Sequence, residues 1–301
     1  MASKAGLALQ ATRPLYIPTS LIPGLAGLAV AIHAPGVTWW LAPVALLALV
    51  LVHAGTNVIN DVEDFQRGVD TEDKMDNSRV FNTGLMSLAD GRRLAVGLFA
   101  AGLALGVVIA AVQGPLILAF GVVGAGVGYG YSAGPRPLKY AGLGDVAIVP
   151  VMGPLITQGV YTSVTGDAFH AAAFWLGLGP GLLIGAVLAA NNLSDIPGDR
   201  AAGVRTLAVR LGFSRARAGY LALLALPYAT VAALVAAGLF GWPLLVALLT
   251  VPLAVQRGAQ ALAAPGEGDQ GLVTLAPGTA QLHLLFSLLL VAGVVIDRAV
   301  L

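Results

Sequence analysis

The sequence contains no cysteine. Disulfide staples, thiolate nucleophiles and sulfur-ligated metal sites are therefore excluded. Charge is scarce too: 10% of residues are Asp, Glu, Lys or Arg, against about 25% in a soluble domain. With 57% hydrophobic residues, one globular core cannot hide the apolar surface, and the solvent must be lipid. Nor is there an excess of positive charge. A net charge of +1 leaves no footprint for nucleic acid. Met1 to Arg13 carries two positive charges but no short apolar core ending in a cleavage site. It is expected to lead into the first span from the cytoplasm and not to be a removed signal.

What is present is long apolar runs. A membrane-crossing helix needs about 20 apolar residues. Nine stretches qualify, at about 15–33, 39–59, 93–112, 115–132, 143–162, 172–192, 218–238, 241–263 and 277–296. They predict an all-α integral membrane protein with one transmembrane domain over residues 1–301. The run Gly121 to Gly130 reads as a surface for close helix packing, not as a nucleotide loop. With nine spans, every Lys and Arg except Arg298 falls at the N-terminus or in the loops after even-numbered spans. The positive-inside rule assigns that face to the cytoplasm. All acids except Asp167 and Asp297 lie there too. The rule does not predict this, so the carboxylates are gathered for another purpose.

Two loops hold most of them. The first, "NVINDVEDFQRGVDTEDKMDNSRVF", runs from Asn57 to Phe81. It closes the second span and contains Asn60 and Asp64 at i, i+4. Gly68, as a left-handed helix cap, would let Asp70 turn back toward them. The second, "NNLSDIPGDRAAGVRTLAVRLG", closes the sixth span and sets Asn191, Asp195 and Asp199 at i, i+4, i+8. Such spacing forms one polar stripe on a helix. Pro197 and Gly198 are expected to end the regular helix before Asp199.

Facing carboxylate stripes repel unless a cation joins them. Hard oxygen donors select Mg²⁺, with Mn²⁺ as a substitute, and Mg²⁺ is commonly shared with substrate phosphates. A diphosphate bridged between the stripes follows. Arg13, Arg79, Arg136, Lys139, Arg200 and Arg205 stand on the same face for its free oxygens. A diphosphate at the mouth of an apolar bundle implies a lipid-like tail between the helices, so polyprenyl diphosphate is the expected ligand. His53, one turn before Asn57, reads as a satisfied core histidine, with the floor of the pocket as its alternative place. His33, His170 and His283 are too scattered for a metal site. Asp145 is either a helix-end acid or a pocket acid.

"NDVEDFQRGVD", "SRVFNTGLMS", "YSAGPRPLKYAGLGD", the second acidic string and "TAQLHLLFSLLL" resemble the UbiA superfamily of intramembrane prenyltransferases. Within it they are most similar to the MenA branch, which prenylates 1,4-dihydroxy-2-naphthoate in menaquinone biosynthesis. The resemblance implies nine helices around a central cavity with cytoplasmic cap loops, in the inner membrane. It implies metal ligands Asn60, Asp64, Asp70, Asn191, Asp195 and Asp199, the four aspartates being catalytic. The family's N-x3-D-x3-D spacing is stretched here before Asp70. Arg13, Arg79, Tyr131 and Lys139 are implied to bind diphosphate, and Asn57 and Asp61 to support the ligands.

The expected chemistry is Mg²⁺-assisted loss of diphosphate to give an allylic cation, shielded from water and captured by an electron-rich aromatic ring. Asp70 or Asp195 is the candidate base. Other acceptors (4-hydroxybenzoate, homogentisate, a tetrapyrrole, a glycerol phosphate) and a prenyl diphosphate cyclase remain alternatives. A transporter is disfavoured because the acids gather at one face and not at mid-bilayer.

Overall fold

The computed structural model describes residues 3–69 and 77–300. Its N-terminal segment is α1 (Lys4–Ala11), started by Ser3, whose hydroxyl accepts the Gly6 N–H at 3.1 Å. A short turn, Pro14–Tyr16, leads to α2 (Pro18–Val30). The two halves, Lys4–Tyr16 and Pro18–His33, meet at 62°. Then come α3 (Leu41–Gln66), α4 (Leu88–Gln113) and α5 (Leu116–Ser132). The next span is α6 (Gly144–Pro150), a π turn over Val151–Leu155, and α7 (Ile156–Thr165). It is followed by α8 (Ala171–Ser194), the short α9 (Ile196–Ala201) and α10 (Leu207–Leu211), and α11 (Phe213–Ala236). A 3-10 stretch, Trp242–Thr250, runs into α12 (Val251–Ala263), and α13 (Leu275–Val300) closes the chain.

All nine expected stretches are helical, and the protein is multi-pass. Among the described residues, however, seven segments are long and apolar enough to cross a bilayer, or eight if the bent N-terminal pair counts as one. The differences have physical causes. Helix α5 has 17 residues, a rise of about 25 Å, short of the hydrocarbon thickness of about 30 Å. The first span is broken where Pro18 follows the turn at Tyr16.

Glycine decides how tightly the bundle closes. A Cβ on Gly27 would lie 2.3 Å from the Thr157 carbonyl, so only glycine lets α2 cross α7 there. Gly153 of the π turn meets Gly177 and Gly181 of α8 in the same way. Pro150 precedes that turn and Pro154 lies within it. Pro154 has no N–H for the regular ladder, which accounts for the π geometry. Helix α8, the most buried span, packs against α11, α13, α6 and the π turn.

Both acidic motifs close helices by identifiable means. At the end of α3, Gly68 sits at φ 69°. Its N–H bonds the Phe65 carbonyl at 3.1 Å, and the Val69 N–H bonds that of Asp64 at 2.9 Å. This is a Schellman cap, with Val69 buried beneath it. Asp70, the residue this cap was expected to redirect, lies outside the described residues, as do Glu72, Asp73 and Asp76. At the end of α8, Asp195 breaks the helix at φ −90°, ψ 0°. Contrary to expectation, helix resumes at once as α9, with Asp199 inside it. Pro197 falls in the first turn, where no N–H is required. The Asp199 N–H bonds the Asp195 carbonyl at 2.8 Å, so the stripe continues across the break.

At the opposite helix ends, His33, Tyr161, Asp167, His170 and Arg298 border a cavity of about 250 Å³. The Tyr161 hydroxyl donates to Asp167 at 2.9 Å. Residues far apart in the chain are thus neighbours, though among the described residues no group of three His, Asp or Glu side chains is placed to hold a metal.

Candidate active site

A cavity of about 360 Å³ opens between α3, α5, the α6–α7 span and α8. Helix α3 contributes His53, Asn57 and Asn60, a single face at i, i+4, i+7. Helix α8 contributes Asn191, Asn192 and Asp195, and α9 adds Asp199. Arg13, Tyr131 and Lys139 complete the polar rim. Below the rim the wall is largely apolar, including Leu49, Val127, Met152 and Ile184. Gly121, Gly124 and Gly128 also face the space. The two acidic motifs therefore border one chamber with a polar mouth and a greasy interior.

Asp64 stands just behind this lining and is 3% exposed. Its carboxylate is held by Lys139 Nζ at 2.5 Å, by the Tyr140 hydroxyl, and by Asn60 Nδ2 at 3.2 Å. Asn60 Nδ2 also donates to Ser132 Oγ at 2.6 Å. The Arg67 guanidinium stacks 4.7 Å over the Tyr140 ring. A charge so buried needs these partners.

Asp61 is equally enclosed. It pairs with Arg13 Nη1 at 3.2 Å and accepts the Ser78 N–H at 2.8 Å. Arg13 reaches Asn60 Oδ1 at 3.4 Å, and Asn57 Nδ2 holds the neighbouring Thr12 carbonyl at 3.0 Å. Asp61 and Asn57 thus fix the segment that presents Arg13, whose backbone lies in the left-handed region at φ 53°. Across the chamber, buried Asp199 accepts from Thr206 Oγ1 at 3.1 Å. Ser194 Oγ is 3.3 Å from Asp195. Asn192 Nδ2 donates to Asp145 at 2.9 Å, which makes Asp145 a helix-end acid tied to the second motif.

Four expected cations, Arg79, Arg136, Arg200 and Arg205, stand apart from the lining. Arg79 is exposed, at φ 62°, in the loop whose Ser78 N–H meets Asp61. Arg200 forms a two-pronged pair with Glu267 at 2.6 and 3.0 Å. These hydrogen bonds hold the Glu267 carboxyl below the ordinary carboxylate range. Spacing within one helix revealed the stripes, but not the residues that clasp them: Tyr140, Ser132, Ser78 and Thr206. Only Tyr140, beside Lys139, carried a hint of its position. His53 is in the cavity wall, so its alternative placement holds.

The donors around the chamber fit a hard divalent cation. At the rim they are amide and carboxylate oxygens, with no thiolate. Among the described residues they do not converge as a ready-made cage.

Residues 20–272 match the model of the UbiA prenyltransferase family. The chain belongs to the UbiA prenyltransferase family. It is 34% identical over 218 residues to the 1,4-dihydroxy-2-naphthoate octaprenyltransferase of Mycobacterium tuberculosis, covering 71% of this chain and 72% of that protein. The enzyme of the same name from Bacillus subtilis is 28% identical and matches 96% of this chain and 92% of its own length. A solved UbiA homologue from Archaeoglobus fulgidus, bound to DMAPP and Mg²⁺, superposes with a TM-score of 0.64 at 20% identity. It covers 98% of this chain and 99% of that one, which shows a shared fold. The resemblance to the MenA branch is borne out, and the protein is a prenyltransferase.

Proposed function

We propose that the protein transfers a polyprenyl group from its diphosphate to an aromatic acceptor, 1,4-dihydroxy-2-naphthoate, as a step toward menaquinone. One observation carries the proposal: two Asn/Asp motifs distant in sequence border one chamber whose depths are apolar. The acceptor is supported by the names of the relatives at 28–34% identity. The Lys and Arg distribution supports a cytoplasmic mouth, with the N-terminus on that side, in a cell membrane.

In this proposal Arg13, Tyr131 and Lys139 take diphosphate oxygens at the rim, and Arg79 approaches from its loop. Asn60, Asp64, Asn191, Asp195 and Asp199, with Asp70, would hold Mg²⁺ (or Mn²⁺), which when bound neutralises the diphosphate and favours its departure. Lys139 leaves Asp64 for the substrate as the site fills. The apolar wall receives the isoprenoid tail and keeps water from the allylic cation. The rim holds the acceptor ring against C1 of the donor. The attacked ring carbon carries the carboxylate, which leaves as CO₂.

The test is formation of demethylmenaquinol from dihydroxynaphthoate and a prenyl diphosphate by purified protein, followed by mass, with and without Mg²⁺. Asp64→Ala and Asp195→Ala are expected to lower turnover by roughly 100-fold or more. Full turnover in both variants would refute the metal-binding roles. Product from 4-hydroxybenzoate but none from dihydroxynaphthoate would refute the acceptor.

A further inference from the structure

We propose that His53 is the base that accepts the hydroxyl proton of the aromatic acceptor, through its Nε2 nitrogen. This rests on the prenyl-transfer function proposed above and names a group in the same chamber.

Position is the first support. His53 shares the cavity-facing side of α3 with Asn57 and Asn60. Seven residues separate it from Asn60, a rise of about 10 Å toward the apolar interior. It is the one imidazole in the wall. The carboxylates, by contrast, stand at the mouth, where the diphosphate end of the donor would engage them. A ring held below that level meets His53.

Hydrogen bonding holds the ring by its other nitrogen. Ser20 Oγ lies 2.7 Å from His53 Nδ1 and 3.2 Å from the Ile17 carbonyl. Ser20 is fully buried, so water does not supply a third partner. A hydroxyl has one proton, and the Ile17 carbonyl can only accept. The proposed role uses the tautomer in which that proton goes to Ile17, Nδ1 donates to Ser20 and Nε2 keeps a lone pair. Nε2 has no hydrogen-bond partner among the described residues, and it is not sealed among the fully enclosed orphan atoms. Ser20 is thus the positioning residue, and Nε2 is the accepting atom.

The chemistry balances without an oxidant or further reactant. The C1–O bond of the donor breaks, and its electron pair leaves on the diphosphate. The acceptor O–H proton passes to Nε2 while the ring carbon bonds C1, giving a dienone. The bond from that carbon to its carboxylate then breaks, CO₂ departs and the pair returns to the ring. Nε2 hands the proton back to the oxygen.

Titratable side chains sharing the cavity wall are Arg13, Tyr16, Tyr131, Lys139, Asp195 and Asp199. Kinetics of His53→Ala, His53→Gln and Ser20→Ala in detergent-solubilised full-length protein test the proposal, alongside direct binding of geranyl diphosphate with Mg²⁺. For His53→Ala, kcat with dihydroxynaphthoate is expected to fall by about 100-fold or more. Geranyl diphosphate affinity should hold, and the acidic limb of the kcat/KM profile should vanish. Added imidazole should restore part of the loss. Ser20→Ala should lower kcat less and leave the limb in place. Undiminished turnover in His53→Ala, or loss of geranyl diphosphate binding in step with turnover in both His53 variants, would overturn the role of His53. Wild-type protein that prenylates no phenolic acceptor would instead overturn the proposed function.

Discussion

Asp64 shows what a single residue in this chamber must satisfy. The residue is 3% exposed, and Lys139, Tyr140 and Asn60 surround its carboxyl group. Lys139→Met removes the cation and leaves two neutral donors. The folded protein is expected to lose about 1–3 kcal/mol, seen as a lower melting temperature in detergent. An unchanged melting temperature would show that Tyr140 and Asn60 suffice. Both Asp64 and Lys139 stood out in the sequence, each in its own motif. Their pairing did not, because they are 75 residues apart and helical periodicity names a face without naming what lies opposite. The same holds for His53. Its helix face was legible, but the serine that orients it sits 33 residues earlier on α2, with no motif to mark it.

At the scale of elements, hydropathy located the long helices but not the short α1, α9 and α10, and small residues settled how the helices meet. Gly181 shows the tolerance: a Cβ there would stand 2.4 Å from the Val149 carbonyl and 3.0 Å from Gly153 Cα. Backbone cannot give way as a flexible side chain can. Gly181→Ala is expected to destabilise by about 1–3 kcal/mol. Gly126, with nothing within 4 Å, is the control, and Gly126→Ala should be neutral or gain up to about 1 kcal/mol. Paired thermal melts in detergent check both, and equal melting temperatures would refute the crossing argument. The glycine run of α5 was expected to be a packing surface. Gly128 behaves so against Thr56, where a Cβ would come within 2.3 Å of Oγ1. All three of Gly121, Gly124 and Gly128 border the chamber, and Gly124 meets no helix as closely as Gly128 does. Composition alone does not separate a glycine that admits a neighbouring helix from one that leaves room for a ligand.

For the whole molecule, that room sets what the enzyme can hold. Gly124 lines the cavity, and its nearest neighbour, a Leu155 methyl group, would lie 4.0 Å from an added Cβ. Gly124→Leu fills space meant, in the proposed function, for isoprenoid. The preferred donor should shift to shorter prenyl diphosphates, measured as kcat/KM across a chain-length series. An unaltered preference would place the tail elsewhere. Membrane class was plain from hydropathy. The count of crossings was less so, because α5 is short and the first span is bent.

The Lys139–Asp64 contact has one more consequence. An ammonium group sits on a carboxylate of the first motif. In the proposed function, a divalent ion entering alone would have to evict that ammonium and leave it stranded. A diphosphate entering with the ion offers the displaced lysine a new home. Ion and prenyl donor should therefore strengthen each other's hold, by the same factor in each direction, and the chamber would fill as if by a single visitor.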